Sequence, residues 1–315
     1  MSDLPPPPGP DDGRAGQPQQ PPLPPPGPSA AGPGGGPVAS DRVRTSQRTP
    51  LSRVPSPYGL WIATFSVLIF IGPNLAVLAA GGLADGLETV TRPSTAELIF
   101  SLAVTLVFQI GIFFAALLPL LAAGRPFTRL FGPTRGTALM WAIGIGAGVL
   151  TSVVALSVNA SLALLLEAED PVEQQILQDA LAGGAPLVLA VLIAVVAAPI
   201  TEEVIFRGIL FRALAGKFGL WVGAVASSVV FALIHFEIFF SQPIALAGLF
   251  TVGMLLALAY HLSGSLLVPV LGHAVFNAVS VSLALIIDRL GLDELEPVAA
   301  LGVVAERVVS VVAGG

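Results

Sequence analysis

From Pro186 to Leu214 the chain runs through mostly apolar residues, and the ionisable exceptions are Glu202, Glu203, Arg207 and Arg212. About 20 apolar residues in a helix cross the ~30 Å hydrocarbon layer of a bilayer, so this stretch reads as a membrane span. Each charged group inside such a span costs roughly 2.5–3.5 kcal/mol on insertion scales and persists only where something compensates it. In a helix, Glu203 and Arg207 are four residues apart, share a face and can pair. Glu202 points about 100° away from Glu203 and has no partner nearby in the sequence. Any fold of this chain has to accommodate that unpaired carboxylate.

The rest of the chain agrees with a membrane setting. Of 315 residues, 54% are hydrophobic and only 11% charged, with a mean hydropathy of +0.86. A soluble domain carries about 25% charged residues, so the fold class expected is an all-α polytopic membrane protein. Seven transmembrane helices are expected at 58–82, 97–124, 137–166, 186–214, 219–237, 243–262 and 265–287. The segment 58–291 is then the membrane domain. Residues 292–315 form a tail whose apolar part, 296–313, reads as an interfacial helix, with an eighth span as the lesser alternative. Residues 1–57 are Pro- and Gly-rich and nearly devoid of large apolar side chains, and they read as a disordered cytoplasmic tail. The net charge of −6 says little about partners, and nothing in the chain points to nucleic acid. With no cysteine, disulfides, thiolate metal sites and a cysteine nucleophile are excluded. Arg42, Arg44, Arg48 and Arg53 precede the first span, and basic loops alternate with loops poor in Lys and Arg, which predicts a cytoplasmic N-terminus.

Three later polar residues lie inside predicted spans: His235, and the pair His273 and Asn277, four apart and on one helical face. A helical hairpin folded about Gly216-Lys217 brings His235 within a turn or two of Glu202 and Glu203, about one turn, near 5 Å, deeper than Glu202. One intramembrane cavity can then collect Glu202, Glu203, His235, His273 and Asn277. Two imidazoles with a carboxylate or amide can hold a divalent metal while leaving a position for water. A carboxylate beside them is placed to take a proton from that water and pass it to a leaving amine. Each residue alone has a plainer account. The Glu203–Arg207 pair can tie helices together, and a single membrane histidine more often packs and hydrogen-bonds. His261 sits at a span end, as interfacial residues do. The conjunction favours chemistry, because two of the three histidines and the clearest intramembrane carboxylates map to one place.

Glu202-Glu203-Val204-Ile205-Phe206-Arg207, Phe231 to His235, and His273 to Asn277 resemble, in that order, the Glu-Glu-x-x-x-Arg, Phe-x-x-x-His and His-x-x-x-Asn motifs of the CPBP (Abi) intramembrane proteases, the CAAX prenyl proteases and bacteriocin-processing enzymes. The resemblance covers about residues 140–290. It implies a metalloprotease in which Glu202 is the general base and His235, His273 and Asn277 surround a metal or the oxyanion. Glu203 and Arg207 would be a supporting pair. The implied metal set is Glu202, His235, His273 and Asn277, with zinc as the expected ion. The implied substrate is a membrane-associated peptide or protein, lipidated substrates included. The depth of His273, about 8 residues from the cytoplasmic end of its span, favours a cavity open to the cytoplasm, and strong Ala, Gly, Pro and Val usage points to a bacterial inner membrane. Two rival functions stand beside it. One is a non-catalytic scaffold or bacteriocin-immunity-type protein using the same helices. The other is an ion-coupled transporter, against which stand the lack of clear inverted repeats and the near-absence of charged residues in the first three spans, where Glu97 at the start of the second is the exception.

Overall fold

The structure, a computed structural model, describes residues 59–84, 94–124, 137–166, 183–235, 244–291, 302–304, 306, 307, 309 and 310, with the backbone alone at 73–84 and 137. All of them lie in one compact unit, Arg48–Gly315. The expected disordered tail over 1–57 and the loops between the first four spans fall outside the described residues. Of the expected helix over 296–313, the residues described are helical.

Seven helices account for the membrane domain among the described residues. They are α1 (Leu60–Ala84), α2 (Thr95–Ala122), α3 (Thr137–Leu165), α4 (Gly184–Phe218), α5 (Leu220–Leu233), α6 (Ala245–Ser263) and α7 (Leu267–Leu290). No strand occurs among the described residues. Five of the helices, α2, α3, α4, α6 and α7, are long and apolar enough to cross a membrane. The stretch Leu60–Gly72 of α1 and the whole of α5 are apolar but shorter. Trp61, Phe65, Phe100, Val107 and Phe114 stand exposed on the outside of the bundle, where apolar surface is stable only against lipid. The chain is an integral membrane protein.

Helix α4 is the central shaft. Every residue from Thr201 to Phe211 is buried, as a helix wrapped on all sides by others must be. Phe206 packs edge-on against Phe70 of α1 at 5.7 Å and Phe231 of α5 at 5.4 Å. Two stretches of α4, Leu192–Ala197 and Val204–Phe211, are wound as π-helix, and they bracket the α-helical turns Ala198–Glu203 that carry both carboxylates. Such widened turns are frequent at functional sites.

The hairpin between α4 and α5 turns at Gly219 and not about Gly216-Lys217 as the sequence predicts. Gly219 has φ of +89°, open to glycine at little cost, and α5 folds back so tightly that a Cβ on Gly223 would lie 2.7 Å from Ala215 backbone nitrogen. This corrects the depth of His235. Arg207 and Phe231 lie at equal chain distance from Gly219, as do Glu203 and His235, so the histidine comes level with the carboxylates. Helix α5 also stops at Leu233, short of the predicted 237. The His235 side chain supplies the reason. Its Nδ1 donates to the Phe231 carbonyl at 2.9 Å, and its backbone N–H falls back on Ala232 at 3.1 Å. The side chain has taken the acceptor that the next helical turn needs.

Helix α7 is clasped to α3 through glycines. A Cβ on Gly148 would lie 2.6 Å from both the Gly272 carbonyl oxygen and Val275 Cβ, and one on Gly144 would lie 2.8 Å from Leu271 Cβ. Small residues let membrane helices approach to backbone contact. Gly148→Ala is therefore expected to push α3 from α7 on either side of His273. Overpacking of this kind costs about 1–3 kcal/mol, which a lowered melting temperature in detergent would register.

Candidate active site

Helix α4 presents Glu202, Glu203 and Arg207 to α5, α6 and α7. Arg207 is 1% exposed and Glu203 fully buried. Arg207 Nη1 donates to Glu203 Oε1 at 2.7 Å, the one-turn pairing expected from their spacing. Its Nη2 donates to the Gly253 carbonyl of α6 at 3.3 Å. The guanidinium also lies over the Phe231 ring of α5, 4.4 Å from its centre, a favourable stacking for Arg in a dry environment. One arginine thus joins three helices. Gly253 is small enough to let this happen, since a Cβ there would lie 2.8 Å from Ser228 Cβ.

His273 of α7 faces both carboxylates. Its Nδ1 donates to Glu203 Oε1 at 2.9 Å, and its Nε2 lies 3.9 Å from Glu202 Oε2. A carboxylate only accepts, so Glu203 fixes the hydrogen on Nδ1 and leaves Nε2 of the neutral ring as a lone pair facing Glu202. Glu203 Oε1 is doubly engaged. Glu202 Oε2, buried and without a hydrogen-bond partner, is not. Glu203 Oε2 is likewise buried and unpartnered, so the two neighbouring carboxylates differ in how they are held: Glu203 is anchored through Oε1 in an ion-pair network, and no hydrogen bond anchors Glu202.

Phe231 carried no weight as a polar candidate, yet it is the hub of the site. Its ring meets Arg207, His235 at 5.1 Å and His273 at 5.7 Å. The motif containing it was the only signal in the sequence. His235 is half-buried, and because a carbonyl holds its Nδ1, its Nε2 is the free nitrogen. Asn277, one turn beyond His273, donates through Nδ2 to the Ala194 carbonyl of α4 at 2.6 Å. The structure thus brings Glu202, Glu203, Arg207 and His273 into direct contact. It links His235 to them through Phe231 and ties Asn277 to the first π-wound stretch. His261 lies elsewhere, in the last turn of α6.

Among the described residues, no three His, Asp or Glu side chains stand close enough together to enclose a metal ion. The chemistry of the free atoms nonetheless fits one. Glu202 Oε2 is an orphaned buried oxygen, and both imidazoles have Nδ1 held by an oxygen acceptor. That outer contact commonly orients a ligating Nε2. A bound ion would have to draw these donors together.

These features define a helical integral membrane protein with a buried site of two carboxylates, two imidazoles and an arginine. Residues 184–279, which contain all six candidate residues, match the family model described as type II CAAX prenyl endopeptidase Rce1-like, consistent with the CPBP resemblance. An uncharacterized 24.3 kDa protein of Escherichia coli is 32% identical over 144 residues, which are 45% of this chain and 62% of that protein. The chain thus spans less than two thirds of that curated relative. No solved structure matches.

Proposed function

We propose that the chain is an intramembrane endopeptidase of the type II CAAX prenyl protease kind. The observation that carries this reading is the contrast between the two carboxylates. Glu203 is locked through Oε1 between Arg207 and His273, while Glu202, which no hydrogen bond anchors, sets a buried unpartnered oxygen 3.9 Å from His273 Nε2. In the proposed reaction Glu202 takes the proton of a water as its oxygen bonds to the scissile carbonyl carbon. The carboxylic acid then gives that proton to the departing amine as the C–N bond breaks. Glu203 holds the imidazole of His273 in one tautomer, and Phe231 packs against both histidine rings. Glu202, His235, His273 and Asn277 would hold a divalent metal, zinc by their N and O donors, and such an ion supplies Lewis-acid polarisation to the peptide carbonyl.

The same reading takes all seven helices as spans, with the N-terminus on the cytoplasmic side. The protein would lie in a bacterial inner membrane and accept a membrane-associated peptide, lipidated or not, from the cytoplasmic side. Its test is an assay of the detergent-purified protein against a fluorogenic prenylated peptide and a library of membrane peptides, with bound metal quantified in the same preparation. Cleavage that a chelator abolishes is the expected result. Cleavage indifferent to chelator would remove the metal and keep the protease. No cleavage of any peptide would leave the scaffold reading standing.

A further inference from the structure

The tie between Asn277 and Ala194 follows from a main-chain deficit in α4. In the first π-wound stretch the Ala198 N–H bonds Ile193, five residues back. It is therefore withdrawn from Ala194, its partner in an ordinary α-turn. The next residue would reach Ala194 in the π pattern, but it is Pro199, which has no N–H. The Ala194 carbonyl consequently has neither an α nor a π donor within its own helix. A half-buried carbonyl so placed within a membrane-spanning helix has to be satisfied from outside that helix. Asn277 Nδ2 does so at 2.6 Å.

We propose that Pro199 is a positioning residue for Asn277. By denying Ala194 its α and π main-chain donors, it leaves that carbonyl to the Asn277 carboxamide, and so fixes the orientation of an amide one helical turn from His273. Pro199 lies in the same turns that carry Glu202 and Glu203. The latch itself stands on main-chain geometry. Its consequence for hydrolysis rests on the protease reading.

The test is a double-mutant cycle with a spectroscopic readout. In Pro199→Ala the restored N–H, or a return of Ala198 to the α pattern, satisfies Ala194 without Asn277. Asn277→Ala is then expected to lower the melting temperature of the otherwise wild-type protein by roughly 3–6 °C, and by less than half as much beside Pro199→Ala. Equal losses in both backgrounds would overturn the latch. The chain has three asparagines, Asn74, Asn159 and Asn277, so selective 15N-asparagine labelling resolves the Asn277 carboxamide. One of its protons should exchange slowly in the wild type; free exchange of both would overturn the latch even if Pro199→Ala does not fold. In a preparation that cleaves peptide, Pro199→Ala should lower kcat about tenfold to a hundredfold with KM little changed, and an unchanged kcat would overturn the positioning role. A wild type that cleaves nothing overturns the protease reading and the positioning role with it, while melting and exchange still decide the latch.

Discussion

Arg207→Ala is expected to give a protein that cannot be recovered folded from the membrane. Arg207 is the largest fully buried side chain among the described residues; its guanidinium donates to Glu203 of its own helix and to the Gly253 carbonyl of α6, and its face stacks on Phe231 of α5. Removing it opens a cavity where three helices meet and leaves the Glu203 carboxylate with His273 alone. Breaking a buried pair by deleting one partner costs about 3–5 kcal/mol, against a total stability on the order of 5–15 kcal/mol for a folded domain. The same principle makes the compensated change mild. Glu203→Gln with Arg207→Met removes both charges at similar volume, and the glutamine carbonyl can still accept from His273 Nδ1. Monodispersity on size exclusion and melting in detergent should therefore collapse for the single variant and largely return for the double. A double variant as unstable as the single would mean that the cavity, and not the stranded carboxylate, dominates the loss.

The sequence carried the composition of this network more fully than its connections. Helix positions were legible because a bilayer admits almost nothing but apolar helices. The site was legible because ionisable residues inside such helices are scarce. The turn at Gly219 was not, because Gly216 and Gly219 look alike until the contact between Ala215 and Gly223 selects one. That displacement decides whether His235 lies beyond the carboxylates or level with them. The π-wound stretches leave no trace in hydrophobic periodicity, since one extra residue per turn over a few residues does not disturb an all-apolar helix. The partner of Asn277 was equally hidden. It is a main-chain carbonyl of an alanine, made available by a proline five residues later, and no comparison of side chains would find it. Phe231 went unweighed for a related reason: its contribution is the face of a ring among charged neighbours, and its residue type signals only packing.

Glu202→Gln should separate function from fold where Arg207→Ala cannot. Glu202 is 7% exposed, its Oε2 has no hydrogen-bond partner, and its nearest basic atom, His273 Nε2, stands 3.9 Å away. Replacing it with the neutral amide removes no short contact and relieves a buried carboxylate, so the melting temperature should hold or rise. Hydrolysis should fall by about 10²–10⁴-fold, the range for loss of a positioned general base. Glu203→Gln predicts the reverse weighting. Its Oε1 accepts from both Arg207 and His273, so neutralising it strands the buried guanidinium and lowers stability, with activity falling as the folded fraction falls. Melting curves and turnover, measured on the two variants in one detergent, thus place adjacent residues on different axes. If Glu202→Gln destabilises as much as Glu203→Gln while turnover per folded molecule stays at the wild-type level, both carboxylates belong to the packing of the bundle and the general base is elsewhere.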